Sequence, residues 1–318
     1  MPDVASELDA VDATLVRELQ LNGRASVQAL ADTVGLSRNA TRARVQQLLA
    51  TGVVRVVGIV HAAVAGIPAL AHVSVAVEGP TGELVRDVAA RPAATYVSRV
   101  AGQYAVIVEL RARDDAALTA ELDWLRARPE VRRVEVFRCA STVRDAYAMV
   151  RDLEPVALDA VDWRLLQELQ RDGRASYALL AGRVGLSQAA TRARVVRLVS
   201  SGTVHISGLV DSDALGVREG VGLGLRARGN ARDAALAVAR LPGLNYVVTG
   251  FGRFDVVCGA DAPVRARLID IVEAARALPD VREVEAWYHL ELVKESYAVD
   301  LEAAAAARPR SSTRAGAG

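Results

Sequence analysis

Two cysteines in 318 residues, Cys139 and Cys258, are too few for a disulfide framework and stand at no metal-ligand spacing. The four histidines, His61, His72, His205 and His289, are scattered, and none has a partner at the spacing of a metal site or a catalytic triad. No apolar run approaches the ~18 consecutive residues that a membrane span needs. The opening MPDVASELDAVD is acidic and lacks the basic-then-apolar order of a signal peptide, so a cytoplasmic protein is expected. There is no P-loop and no nucleophile elbow. GFG at Gly250 lacks the further glycine and the opening helix of a dinucleotide fingerprint. With these absences go metal, cofactor and enzyme chemistry, none of which is expected. An excess of charge of one sign is missing too. The formal net charge of +1 argues against non-specific polyanion binding, although an average hides local fields. Lysine is nearly absent, Lys294 being the only one, so the basic side chains are almost all arginine.

What is present is a repeat. GLSRNATRARV, residues 35–45, returns as GLSQAATRARV at 185–195, and LDAVDATLVRELQLNGRASVQALADTVGLS from Leu8 returns as LDAVDWRLLQELQRDGRASYALLAGRVGLS from Leu158. The offset is 150 positions without a gap, and it persists at Tyr96/Tyr246, Gly102/Gly252, Val131/Val281, Glu135/Glu285 and Tyr147/Tyr297. The match is dense over the first part of each unit and sparse afterwards. A constant offset in the sparse part still means one fold, written twice. The chain is globular in composition and long enough for several cores. Domains are expected at 1–60, 61–150, 151–210 and 211–300, with a small, polar, Pro- and Gly-bearing tail at 301–318 expected to be disordered.

The first part of each unit reads as three helices. Asp9 caps the first, with Asp12 in its opening turn, and Val11, Leu15 and Leu19 follow at helical spacing until NGR ends the run. Ser26 caps a second helix bearing Val27, Leu30 and Val34, closed by Gly35. Ser37 caps a third, with Gly52 after its last turn, and the strand-like VVRVVGIV follows. Three helices, a tight Gly-Leu turn and a β wing form a winged helix-turn-helix pattern. At about 100° per residue, a third helix that buries Thr41, Val45 and Leu48 turns Asn39, Arg42, Ala43 and Gln46 outward. Arginine forks to guanine and amides pair with adenine, so this face suits a DNA groove. The flanking Arg38 and Arg44 suit phosphates or a structural ion pair. From Leu36 to Val60 there are four arginines and no acid, and from Leu186 to Val210 there are three and again no acid. The bland alternative is a solvated polar face on an ordinary three-helix domain. In the second copy Asn39 is replaced by Ala189 and Gln46 by Val196, leaving Gln188, Arg192 and the flanking Arg194. The first head is therefore expected to carry more of the sequence discrimination and the second more phosphate contact. The candidate DNA-contacting residues are Ser37, Arg38, Asn39, Arg42, Arg44, Gln46, Ser187, Gln188, Arg192 and Arg194.

The remainder of each unit alternates as βαββαβ, from ALAHVSVAVEG to VRRVEVFRC and again from VGLGLRARG to VREVEAWYHL. That is a ferredoxin-like sandwich in an α+β chain, with helices on one sheet face and the other face left open for a second copy. Cys258 falls in a strand, where it serves as a small apolar residue.

The stretches LDAVDATLVRELQLNGRAS, VGLSRNATRARVQQLLATGVV and VTGFGRFDVV, with their partners in the other copy, resemble the Lrp/AsnC family of bacterial transcription regulators. The resemblance covers nearly the whole chain, twice over. It implies an N-terminal domain that binds double-stranded DNA and a C-terminal domain that dimerises and binds an amino acid or related small effector at a subunit interface. It also implies a covalent pseudo-dimer, in which the second head is held at high effective concentration, and further association of such pseudo-dimers. The family's effector motif matches the second copy at Thr249, Gly250, Gly252 and Asp255 in TGFGRFD. The first copy reads VAGQYA, keeping Gly102 but placing Ala105 where Asp255 sits. The alternative for this loop is a β-turn whose aspartate caps a strand. Two rival functions share the scaffold. A siroheme decarboxylase would need basic and histidine side chains near the linking strand, where only Arg55, His61 and His205 stand. A small-molecule sensor with a decayed helix-turn-helix is opposed by the arginines at 42, 44, 192 and 194.

Overall fold

The computed structural model describes residues 8–61, 63–145, 148–149, 153–154, 156–210, 219–262, 264–296 and 301. The first unit runs α1 (Ala10–Leu21), α2 (Val27–Val34), α3 (Arg38–Ala50), β1 (Val54–Val60), β2 (Ala69–Val77), α4 (Gly82–Ala90), β3 (Ala94–Ala101), β4 (Val106–Ala112), α5 (Asp115–Arg126), β5 (Val131–Asp145) and the short β6 (Ala148–Met149). The second repeats it as α6 (Ala160–Arg171), α7 (Tyr177–Val184), α8 (Gln188–Ser200), β7 (Val204–Val210), β8 (Glu219–Ala227), α9 (Ala231–Val238), β9 (Leu244–Gly252), β10 (Val256–Ala262), α10 (Arg265–Arg276) and β11 (Val281–Glu295). Tyr147 and Tyr297, and the tail beyond Leu301, lie outside the described residues.

Local chemistry sets the helix ends. Asp9, Ser26 and Ser37 each accept a hydrogen bond from the backbone N–H three residues on, and Gly35, at φ 68°, closes α2 in the left-handed region. Asp159, Ser176, Ser187 and Gly185 repeat the arrangement. Thr41, Val45 and Leu48 are buried, as are Thr191, Val195 and Leu198.

The strand after each third helix finds its partner in the other copy. β1 and β7 form an antiparallel ribbon, with Val54 opposite Val210 and Val57 opposite Ser207. The helices cross over it. A Cβ at Gly58 would stand 3.0 Å from the Leu169 carbonyl of α6, and one at Gly208 would stand 3.1 Å from the Leu19 carbonyl of α1. The first copy's α1 therefore lies on the second copy's strand, and α6 lies on the first copy's. The Gly23 N–H donates to the Ile206 carbonyl at 2.8 Å, and the Gly173 N–H to that of Val56 at 2.9 Å. Arg24 donates to the carbonyls of Gly173 and Ala175, both at 2.9 Å, and Arg174 returns the contact to Gly23 at 2.6 Å. Leucines from α1, α2 and α3 meet those of α6, α7 and α8 in a single core, which also takes Leu301. The two heads form one packed body.

Beneath them each βαββαβ unit makes a four-stranded antiparallel sheet, in the orders β5-β2-β4-β3 and β11-β8-β10-β9. Helices α4 and α5 cover the outer face of the first sheet, and α9 and α10 that of the second. The strands β5 and β11, 15 residues each, are long enough to serve both sheets. β5 pairs first with β2 and then with β9, while β11 pairs first with β8 and then with β3. The sheets join at both edges into a closed ring of eight strands, leaving no open edge between the halves. The expected open faces look at each other across Val100, Ile107, Phe137, Val248, Phe254, Val257 and Trp287. Among the described residues no helix is long and apolar enough to cross a membrane.

Candidate functional sites: the head surface and the barrel interior

On the head surface Arg38, Asn39, Arg42 and Gln46 are exposed, as are Gln188 and Arg192. Arg38, Arg42 and Arg192 carry no ion pair among the described residues. The second arginine of each TRAR is different. Arg44 pairs with Asp9 at 2.6 Å and Asp12 at 3.0 Å, and Arg194 pairs with Asp159 at 2.7 Å and Asp162 at 2.9 Å. These ion pairs tie each third helix to the N-terminus of the first helix in its head. The hydrogen bond from the Asp12 N–H, with that from Arg44, holds the Asp9 carboxyl below the usual range. The second copy adds Arg197 on Asp162 at 2.5 Å, where the first has Gln47. The hydroxyl oxygens of Ser37 and Ser187 accept the cap bonds from Ala40 and Ala190.

The glycine loop packs tightly against β5. A Cβ at Gly250 would stand 2.2 Å from the Arg138 carbonyl, and one at Gly252, φ 129°, would stand 2.4 Å from that of Val136. Glycine is needed there because β9 passes so close to β5 that no side chain fits. Thr249 donates to the Ser141 carbonyl at 3.4 Å, and Gly102, at φ 151°, lies over Trp287. The Asp255 carboxylate accepts the Ala227 N–H at 2.9 Å and meets Arg226 at 3.4 Å. None of the five expected effector residues lines either of the two cavities described below. Their neighbour Arg253, which the motif passes over, joins the halves instead. It donates to Glu285 at 2.5 Å, Gln103 at 2.6 Å and Glu135 at 3.1 Å, and also to the Tyr104 hydroxyl. Glu135 and Glu285 are repeat partners, so one arginine from the second copy serves both.

The unexpected site is inside the ring. A cavity of about 570 Å³ opens between the two sheets. Its polar walls come from His72 on β2, Tyr96 on β3, Glu109 and Arg111 on β4, Asp145 on β5, Tyr246 on β9, Asp261 on β10, and Trp287 and His289 on β11. His72 lies against Trp287, ring centroids 5.4 Å apart, and neither of its ring nitrogens has a hydrogen-bond partner. Burial pulls it down to about 3, helped by His289. His289 Nδ1 lies 2.8 Å from the Ser98 hydroxyl and 3.2 Å from that of Tyr96, and burial, opposed by Asp261, pulls it to about 4. Both imidazoles are neutral near neutrality. Burial pushes the Glu109 carboxyl up to about 7, with Arg111 opposing. A second cavity of about 890 Å³ lies between heads and barrel and is lined by His61, His205 and Arg24. It shares Arg111, Asp145 and Tyr246 with the first. The sequence did hold a signal for the inner cavity. VIVELRA places Glu109 and Arg111 on one face of a strand, and their repeat partners are Gly259 and Asp261. No group of three or more candidate metal ligands occurs among the described residues.

Comparison with known proteins follows these features. The AsnC-type helix-turn-helix domain matches residues 8–49 and 158–199, and the Lrp/AsnC ligand binding domain matches residues 69–149. The leucine-responsive regulatory protein of Rhizobium meliloti (strain 1021) is 29% identical over 153 residues, spanning 46% of this chain and 97% of the relative. The HTH-type transcriptional regulator LrpA of Mycobacterium tuberculosis (strain ATCC 25618 / H37Rv) is 46% identical over 61 residues, 19% of this chain and 41% of that protein. Among solved structures, siroheme decarboxylase NirDL shares the fold end to end, with a TM-score of 0.60 at 14% identity, covering 90% of this chain and 92% of that one. The same enzyme in co-complex with an iron-uroporphyrin III analogue gives 0.58 at 13%. The matched domains together span more than half of the chain, both helix-turn-helix units among them, and the protein belongs to the Lrp/AsnC family of DNA-binding transcriptional regulators.

Proposed function

We propose that the chain reads DNA as a covalent pseudo-dimer, with α3 and α8 as its two recognition helices, and that a small molecule bound at the ferredoxin-like domains modulates it. The observation that carries this reading is the division of labour within each TRAR. Arg44 and Arg194 are engaged by carboxylates, while Arg42 and Arg192 stand exposed on the outer face, without an ion pair among the described residues. The exposed Asn39 and Gln46 beside Arg42 support base reading by the first head, and the exposed Val196 supports a lesser share for the second. Because the heads are one packed body, an effector works by moving that body against the barrel or by changing the association of chains. Either requires different effector affinities in the two arrangements. The test is binding to the DNA upstream of the protein's own gene, titrated with salt, for the wild type, Arg42→Ala and Arg192→Ala. Sequence-preferring, salt-sensitive binding that weakens in both variants supports the reading. Binding no better than to random DNA, with variants indistinguishable from wild type, overturns it.

The end-to-end likeness to siroheme decarboxylase NirDL raises an enzyme reading. The inner cavity opposes it. Glu109, Asp145 and Asp261 face a single Arg111 there, the reverse of what the carboxylate substituents of a tetrapyrrole need. Decarboxylation of siroheme by the purified protein would establish the enzyme instead.

A further inference from the structure

We infer that the cavity inside the strand ring binds a small organic cation with a primary ammonium group. Three independent observations converge on it. First, His72 is 5% exposed, and among the described residues neither of its ring nitrogens has a hydrogen-bond partner. A buried polar group left unpaired is costly, and a neutral imidazole keeps one ring nitrogen as an acceptor that an ammonium N–H can complete. Second, the charge facing the cavity is acidic, with Glu109, Asp145 and Asp261 against Arg111. Third, Tyr96, Tyr246 and Trp287 are among the lining residues, and aromatic rings attract a cation once water is excluded.

The cavity also belongs to the fused chain alone. His72 and Glu109 have Gly222 and Gly259 as repeat partners, and at each glycine another side chain takes the space a Cβ would use. A Cβ at Gly222 would stand 2.0 Å from the Trp287 indole nitrogen, and one at Gly259 would stand 2.7 Å from the Asn245 amide oxygen. Two identical subunits would place either two histidines or two glycines across the axis. The site is one per chain, with a polar wall from one half and an open wall from the other. Leu209 and Val210 of the β1–β7 ribbon form part of its lining, so an occupant touches the platform on which the heads sit.

The role of effector rests on the regulator reading above; the site itself does not. The test is calorimetric titration of the full chain, without DNA, using 1,4-diaminobutane, L-lysine, L-leucine and L-glutamate. The expected result is saturable binding of the diamine, of L-lysine or of both at one site per chain, with L-leucine and L-glutamate silent. The two amines separate a bare diamine from an amino acid as the source of the ammonium group. Glu109→Gln, which keeps shape and removes charge, weakens binding ten-fold or more, while Glu273→Gln on the outer face of α10 leaves it unchanged. No binding of either amine at millimolar concentration, equal binding of L-glutamate, or undiminished binding by folded Glu109→Gln overturns the site. Repeating the DNA titration with the amine then separates the two claims. Saturation of the chain with no change in DNA affinity would keep the site and overturn its role as effector.

Discussion

The heads and the barrel treat the duplication in opposite ways. In the heads the main backbone contacts between copies are reciprocal. Arg24 reaches Gly173 and Ala175 while Arg174 reaches Gly23, and Gly58 and Gly208 lie against the same leucine of the opposite helix. In the barrel the paired positions have parted: His72 with Gly222, Glu109 with Gly259, Arg111 with Asp261, Gln103 with Arg253. The physical reason follows from what each layer meets. A duplex with a two-fold operator demands two equivalent heads at fixed spacing, and any drift in the ribbon misplaces one of them. A small ligand has no such symmetry, and a covalent link lets each wall of its cavity change independently.

The largest effect expected on this comparison is in the ribbon. A Cβ at Gly23 would stand 2.6 Å from a Val56 methyl, and one at Gly173 would stand 2.7 Å from an Ile206 methyl. Overpacking of this kind costs about 1–3 kcal/mol. Gly23→Ala and Gly173→Ala should therefore lower the denaturation midpoint by several degrees and by equal amounts, read by thermal melts. A drop in one variant only would break the two-fold description of the head layer.

On DNA, Arg42→Ala and Arg192→Ala should each weaken operator binding by roughly ten-fold or more, the scale of a lost base contact of about 1–3 kcal/mol. Symmetry of affinity need not mean symmetry of reading. Asn39→Ala should relax sequence preference in a binding-site selection more than Gln188→Ala, since the second head lacks the companion amide. Equal relaxation would erase the distinction between the heads.

A smaller asymmetry lies beneath the recognition helices. Asp162 is 1% exposed, completes a capping box with Asp159 and receives both Arg194 and Arg197. The side chain of Asp12 is 23% exposed and, among the described residues, pairs with Arg44 alone. Asp162→Asn should cost more stability than Asp12→Asn in denaturant titration, because a buried charge partner is lost in one case and a solvated pair in the other. Equal losses would mean that the extra arginine adds nothing.

What the sequence made readable, and what it hid, divides by distance along the chain. Asp9, Ser26, Ser37 and Gly35 were recognisable as caps because a cap and its partner are within a few residues. Thr41, Val45 and Leu48 were readable as a buried stripe for the same reason. The β1 strand was readable as a strand but not in its pairing, because VVRVVGIV is apolar throughout and specifies no partner, and that partner begins 150 residues away. Arg44 was left between two roles, since no local pattern shows that Asp9 and Asp12 fold back to it. Asp255 matched a motif, but no local pattern shows that its carboxylate also accepts the N–H of Ala227, 28 residues earlier. The inner cavity is assembled from nine strands of both units, and only the charged pair in VIVELRA pointed inward.

The finest test of the comparison is a titration, because Glu109 has no acidic counterpart in the second copy. Its carboxyl is pushed up to about 7 by burial, with Asp145 and Glu295 adding to the rise and Arg111 and a hydrogen bond from Tyr246 opposing it. Tyr96 and Cys139 also face it, and both stay protonated, held above their ordinary values by burial. A folded value above the unfolded one means that the stability Glu109 contributes is complete below about 4.5 and is lost as the pH rises through about 7. Glu109→Gln removes that loss. The variant should match the wild type at acid pH and melt a few degrees higher at pH 8. His72 and His289 destabilise the fold on the acid side, where their lowered values resist protonation, but they act in both proteins and cancel from the difference. A bound ammonium group would favour the ionised carboxylate. Amine binding near pH 6 should therefore release a proton, seen as a heat that varies with the ionisation enthalpy of the buffer, and should release none at pH 8.5. A wild-type minus variant difference that stays flat with pH would remove Glu109 from the cavity's electrostatics and leave the two walls distinct in shape alone.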